Sequence, residues 1–472
     1  MSNLVGLLRT SDDPREEFLA LLTAGILSLL FVFLVTVSGG NTSVAMLFPA
    51  GAFVALMVTN VELALAGVII SLFLNVHVLG FASGVWFSLP FGLAFILKHT
   101  NLQWKELRNP LTSSLVIYGL CIIPSFINAA LPLTSFLKLF NVMAFMIMLF
   151  GLIATIKTHR ELQRALLVYL ALAFANSVHV IFQSLTGARR AFGFAGIMFV
   201  DYSALAVCLT AAIVVTMKKG RRISFVAGSV IFVALILTQT RNTWLSAIIT
   251  LVWLVGYLVR HPEVAGLSRK RVVAIASLGL LVLASISVAL LSLNTRLQKR
   301  ASEFTENPSY GIDESGRVES SLGTRLFIWD TALNAFRAHP IVGIGVYAFP
   351  YSSEQYSTTT KRFYNDFVRR NSPHQTHLAV LAETGLLGAL GFSMFAVAAL
   401  KYSFRVITGA ASERDRRYAF VGATGVVYCF VSMMFTDAWL WGQGIVLLGV
   451  ILGLVMALRK FSAAPIAEPH RL

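Results

Sequence analysis

The chain has 472 residues, of which 57% are apolar and only 13% charged, with a mean hydropathy of +0.76. Ordinary soluble domains carry about 25% charged residues; open sheets cannot span lipid and barrel strands alternate polar with apolar, so the class is a polytopic α-helical membrane protein. The net charge of +16 does not point to nucleic acid, because most of the excess sits in short loops between apolar stretches, where topology explains it.

The chain opens with Asp12, Asp13, Glu16 and Glu17 before its first apolar run, unlike a cleavable signal, so the first helix is expected to stay as an anchor. Stretches of ~20 apolar residues are read as membrane spans. They fall at 18–38, 61–82, 113–132, 136–156, 162–185, 195–217, 222–239, 242–260, 271–293, 377–401, 418–437 and 440–458. The stretches 44–58 and 84–98 are apolar but short, so about 12 spans are expected and up to 14 allowed. Three regions follow. Residues 1–293 form an N-terminal helical bundle, 294–376 a large loop outside the membrane, and 377–472 the C-terminal spans with a short tail. Cys121, Cys208 and Cys429 lie inside apolar segments without metal-ligand spacing, so neither a disulfide framework nor a zinc site is indicated.

Charge sets the orientation. Basic clusters occur at Lys98–Arg108, Lys157–Arg164, Lys218–Arg222, Arg260–Arg271, Lys401–Arg417 and Arg459–Lys460. Two spans separate each cluster from the next, which places all of them, and both termini, on the cytoplasmic side. The exceptions are then informative. Arg189 and Arg190, Arg241, and the 294–376 loop with Arg325, Arg369, Arg370 and His374 face outward. Arginine kept there, away from its topogenic role, suggests an anion to be held. A guanidinium fork suits phosphate oxygens bidentately and stays charged at any relevant pH. The bland alternative, snorkelling to lipid headgroups, explains one arginine more easily than several in separate segments. Arg189 and Arg190 are interchangeable at this stage, and Arg369 and Arg370 are the weaker candidates.

Inside the large loop, Leu326, Trp329, Leu333 and Phe336 recur at helical spacing, which predicts an amphipathic helix over 324–338. His339-Pro340 ends it and Gly343-Ile344-Gly345 is expected to make a flexible turn. The polar stretch 301–323 is expected to be mobile. Pro373 suits the first turn of the next helix, where His374 and His377, three residues apart, would share a face. His374 is either a base, since a neutral imidazole can take a proton from a hydroxyl, or a helix-end residue making a cap-like hydrogen bond. His377 could orient its neighbour, bind an acceptor, or be structural. Glu383 in an apolar stretch is costly unless paired; it could lock an arginine or a neighbouring helix, or act directly. Asp201 and Asp437 have similar claims. The outer side carries no dense acidic cluster and the chain no glycine-rich phosphate loop, so neither a metal nor a nucleotide cofactor is expected.

The pattern His339-Pro340-Ile341-Val342-Gly343-Ile344-Gly345, then His374-Gln375-Thr376-His377-Leu378, then Glu383-Thr384-Gly385-Leu386-Leu387-Gly388 resembles the O-antigen ligase and polymerase superfamily. The typical family signature is a "hPl.GvG" turn followed by "HN..L..l.E.G..G". This chain departs from it with Gln375 in place of Asn, which keeps the amide chemistry. The resemblance extends to the many helices and the single large loop before the last spans. It implies a GT-C-like glycosyltransferase in the inner membrane of a Gram-negative bacterium, with its site facing the periplasm. It further implies that an acceptor hydroxyl displaces undecaprenyl diphosphate from a lipid-linked O-antigen, with inversion, His374 as general base and Arg190, Arg241 and Arg325 (or Arg189) on the diphosphate. Length, a single large loop and the short tail favour a ligase acting on lipid A-core over a protein-modifying member. A polymerase of the same superfamily is the alternative. A transporter or flippase of lipid-linked glycans, from a different class, would call for charged residues near the bilayer midplane, and few are visible.

Overall fold

The computed structural model describes residues 61–73, 109–188, 190–217, 220–293, 321–369, 371–437 and 443–463, with isolated positions between 77 and 92 and at 298. Apart from a minimal hairpin pairing His77–Val78 with Phe81–Ala82, its regular structure is helical. The main helices are α1 (Val61–Leu72), α2 (Pro110–Ile122, continued as a 3₁₀ turn to Asn128), α3 (Pro132–Thr155), α4 (His159–Leu185), α5 (Phe199–Thr216) and α6 (Arg221–Leu237). They continue with α7 (Arg241–Arg260), α8 (Arg269–Leu293), α9 (Ser321–Ala338), α10 (Thr376–Thr408), α11 (Glu413–Ser432) and α12 (Gln443–Ala463). Among the described residues seven helical segments are long and apolar enough to cross a membrane: Pro110–Asn128, Pro132–Thr155, His159–Leu185, Gly193–Thr216, Arg241–Arg260, Arg269–Ala289 and Thr376–Thr408. The protein is an all-helical polytopic membrane protein.

Local chemistry sets the helix ends. Asn109 caps α2 and Thr158 caps α4, each in a reciprocal capping box, with Thr112 and Glu161 respectively. Ser412 accepts the Asp415 N–H at the start of α11. At this end of the bundle the basic segments gather: His159 bonds Asp415 at 2.5 Å and Arg459 donates to the Gly409 carbonyl at 3.1 Å. The core is mainly apolar, with α5 and α11 at its centre and Tyr202, Tyr428, Phe199 and Phe420 fully buried, and the buried Asp201 accepts the Ser432 hydroxyl at 2.9 Å. α12 approaches α3 closely because Gly449 and Gly453 are four residues apart; a Cβ at Gly449 would lie 2.9 Å from the Phe145 carbonyl oxygen.

Three sequence expectations change. The apolar stretch 61–82 is not one span: its helix stops at Leu72 and the chain turns into the hairpin. The segment 418–437 is helical only to Ser432, beyond which Met433–Asp437 turns. Most consequential, α10 is broken at Gly385, whose φ of 63° and ψ of −163° leave the helical region. In an unbroken helix His377 and Phe392 would stand about 22 Å apart, yet their rings lie 5.7 Å apart. The arm 376–384 therefore folds back along the arm 386–408, and only the second arm is free to cross. The 18–38 and 44–58 stretches and most of 301–323 lie outside the described residues; 321–323 belong to α9.

Candidate functional site

Breaking a helix leaves backbone donors and acceptors without partners. Here the 339–345 segment supplies them. Ile344 N–H donates to the Ala382 carbonyl and Gly345 N–H to that of Glu383, at 3.0 and 2.9 Å. In return Leu386 N–H donates to Pro340 and Leu387 N–H to Ile341. Gly343 and Gly385 both have positive φ and face one another's chain: a Cβ at Gly343 would strike the Glu383 carbonyl, and one at Gly385 that of Ile341. The Gly343–Gly345 turn is thus pinned rather than flexible. Asn128 adds a bond to the Gly343 carbonyl (2.9 Å) and Ser135 one to that of Val346 (2.7 Å). Glu383 is 2% exposed, and its carboxylate accepts the Tyr347 and Phe349 N–H groups at 2.9 and 3.4 Å.

This lock fixes where the arm 376–384 begins. Gln375 is the N-cap, its side-chain oxygen accepting the Leu378 N–H at 2.6 Å. Thr376 N–H donates to Met433 and its hydroxyl to Thr436, tying the arm to the turn after α11. Pro373 stands before the helix, not in its first turn, and its carbonyl accepts the Trp329 indole N–H at 2.9 Å. His374, outside the helix with φ of 53°, shares no face with His377, which is exposed beside Phe392. The cap-like bond falls to Gln375, and His374 Nδ1 lies 3.5 Å from the Ser372 hydroxyl on the side that faces Asp437.

His374 Nδ1 lies 3.9 Å from Asp437 Oδ1, with the imidazole 40% and the carboxylate 13% exposed. From the other side α9 delivers Arg325, whose guanidinium donates to the Phe435 carbonyl at 3.4 Å. Asn242, next to Arg241 at the start of α7, reaches that same carbonyl. Burial, then the neighbouring Arg241, lowers the Arg325 pKa, against which Asp437 acts in the opposite direction. The two guanidinium groups thus lie within electrostatic reach of each other, an arrangement that favours binding an anion. Burial also pulls the His374 pKa below its ordinary value; Asp437 opposes that and Arg325 adds to it. The neutral form of the imidazole is thereby favoured.

Residues 223–393 match the family model described as O-antigen ligase. This match supports the O-antigen ligase/polymerase superfamily. Comparison with curated proteins found no match. The matched stretch runs from α6 into the second arm of α10, and so contains Arg241, Arg325, His374, Gly343, Gly345 and Gly385.

The remaining sequence candidates are spread out. Arg190 is exposed in the loop after α4, a loop anchored by buried Asn176, which accepts the Phe194 and Ala195 N–H groups. Arg369 is exposed and bonds Asn365 within its own turn. Arg189 and Arg370 lie outside the described residues. Sequence reasoning left Asp437 as one of several costly carboxylates, placed Trp329 only on the apolar face of a helix and gave no role to Tyr347 or Gln239. Backbone conformation marks the place: the non-glycine residues with positive φ among those described are Gln239, Tyr347 and His374. Gln239 adjoins Arg241, and each such conformation costs about 1–2 kcal/mol for an L-residue.

Proposed function

We propose that the protein is an O-antigen ligase, moving a glycan from undecaprenyl diphosphate to lipid A-core at the outer face of the bacterial inner membrane. The observation that supports this reading is the meeting of Arg241, Arg325, Asp437 and His374 at the end of the bundle away from its basic loops.

An acceptor hydroxyl attacks the anomeric carbon as the bond from that carbon to the diphosphate oxygen breaks, which inverts the configuration. His374 takes the hydroxyl proton. With its N–H on Nδ1, toward the Ser372 hydroxyl at 3.5 Å and the Asp437 carboxylate at 3.9 Å, Nε2 carries the lone pair. Asp437 then stabilises the imidazolium as it forms. Arg241 and Arg325, with Arg190 a further candidate, hold the diphosphate and offset the charge that grows on it as it leaves. The donor is already activated and already in the membrane, so the reaction draws on no nucleotide.

Transfer by the purified protein in detergent, from lipid-linked glycan to lipid A-core, tests the reading. His374→Ala is expected to lower the rate by about 10²–10⁴-fold, the usual contribution of a general base. Unchanged transfer in that variant would remove His374 from the mechanism. Wild-type protein that elongates lipid-linked glycan and ignores lipid A-core would be a polymerase instead.

A further inference from the structure

We propose that Lys138 and Tyr351, set in place by Tyr347, form a subsite for a negatively charged sugar of the acceptor. The subsite is tied through Glu383 to the arm that begins beside the His374–Asp437 pair, but is built from elements that carry none of the diphosphate-binding arginines.

Tyr347 holds the arrangement together. Its φ of 57° is rare for a bulky side chain, and its N–H is held by the buried Glu383 carboxylate. Val346, just before it, is tied by its carbonyl to Ser135 on α3. So fixed, the Tyr347 ring lies under the Lys138 ammonium, 4.2 Å from Nζ to the ring centroid. The same ring meets Tyr351 edge-on at 6.0 Å, and Tyr351 is 51% exposed. Tyr347 thus carries the Lys138 ammonium over its face and the exposed Tyr351 ring at its edge. Aromatic faces stack against the C–H faces of sugar rings, and an ammonium group recognises a phosphate or carboxylate substituent.

The subsite is continuous with the reaction centre. Tyr347 N–H is held by Glu383 at one end of the arm 376–384, and Thr376 at the other end bonds Met433 and Thr436 in the turn that leads to Asp437. An inverting displacement brings the acceptor to the face of the anomeric carbon opposite the leaving diphosphate. The acceptor must therefore be held by groups other than Arg241 and Arg325. Lys138 comes from α3 and Tyr351 from the short helix Phe349–Ser352, whereas those arginines come from α7 and α9. The choice of acceptor over donor rests on the transferase reading above.

Binding and transfer are measured separately with purified protein in a neutral detergent. The probes are lipid A-core with its phosphates intact and the same material chemically dephosphorylated. The wild type is expected to bind the phosphorylated form about ten-fold more tightly, and Lys138→Met to abolish that preference, with the donor KM changing less than about two-fold. Tyr351→Ala is expected to weaken both forms, and Tyr351→Phe to restore them. A preference that survives Lys138→Met overturns the proposal. So does a loss that appears equally in the donor KM, or a Lys138-dependent affinity that anionic phosphatidylglycerol titrates away, which would make this a lipid-headgroup contact. If the wild type transfers no glycan but still binds lipid A-core with the Lys138-dependent preference, the subsite stands and the transferase reading fails.

Discussion

His374 is a histidine in a left-handed backbone conformation, with a carboxylate on one side and an arginine on the other. Those neighbours act on its proton affinity in opposite directions, which gives a signed prediction. Because the folded-state pKa lies below the ordinary value, the base form persists to lower pH than for a free imidazole, and the acid limb of kcat/KM falls below about 6.5. Asp437→Asn removes the group that raises the pKa, so its acid limb moves further toward acid; Arg325→Ala removes one that lowers it, so its limb moves up. A pH–rate profile of each variant checks both signs, and identical limbs would mean that another group carries the proton. The type of this residue was legible in the sequence, as part of a motif. Its partner was not: Asp437 lies outside the stretch that matches the family and is brought near only by the turn after α11.

At the scale of elements, the two halves of the motif have a physical meaning that hydropathy does not reveal. The segment 377–401 reads as one apolar span because apolar content is blind to direction, yet Gly385 reverses the chain within it. The Gly343 turn exists to satisfy that break, which explains why both segments are rich in glycine and why an acidic residue is buried between them. Gly385→Ala or Gly343→Ala would add a left-handed L-residue, costing about 1–2 kcal/mol, on top of a backbone collision. Each is expected to lower the thermal midpoint in detergent and to abolish transfer, whereas Gly187→Ala, with nothing within 4 Å, should cost only the conformational part. Equal effects at all three positions would contradict an interlock. The predicted helix over 324–338 is observed as α9, since its apolar spacing is a local property. The expected pairing of His374 with His377 fails because the helix starts at Thr376, where Gln375 provides the cap.

For the whole molecule, the basic clusters carry the expected orientation, and the fold gathers several of them at one end, where His159 meets Asp415 and Arg459 meets the Gly409 carbonyl. A cysteine introduced in place of Arg369 is expected to react with a membrane-impermeant maleimide in intact spheroplasts. One in place of Arg414 should react only after permeabilisation, and the opposite result would invert the topology and remove the site from the face where lipid-linked glycans are presented. The sequence by itself determined the membrane class, the basic end of the bundle and the presence of a family motif, because hydropathy, charge and short spacings are properties of the chain read in one dimension. The tertiary structure alone decided which residues meet. Arg325 and Asn242 converge on the Phe435 carbonyl across separations of 110 and 193 residues. Lys138 finds Tyr347 across a different pair of elements. Such meetings depend on a positive φ at a few positions and on helices packed from distant parts of the chain, neither of which leaves a periodic signal.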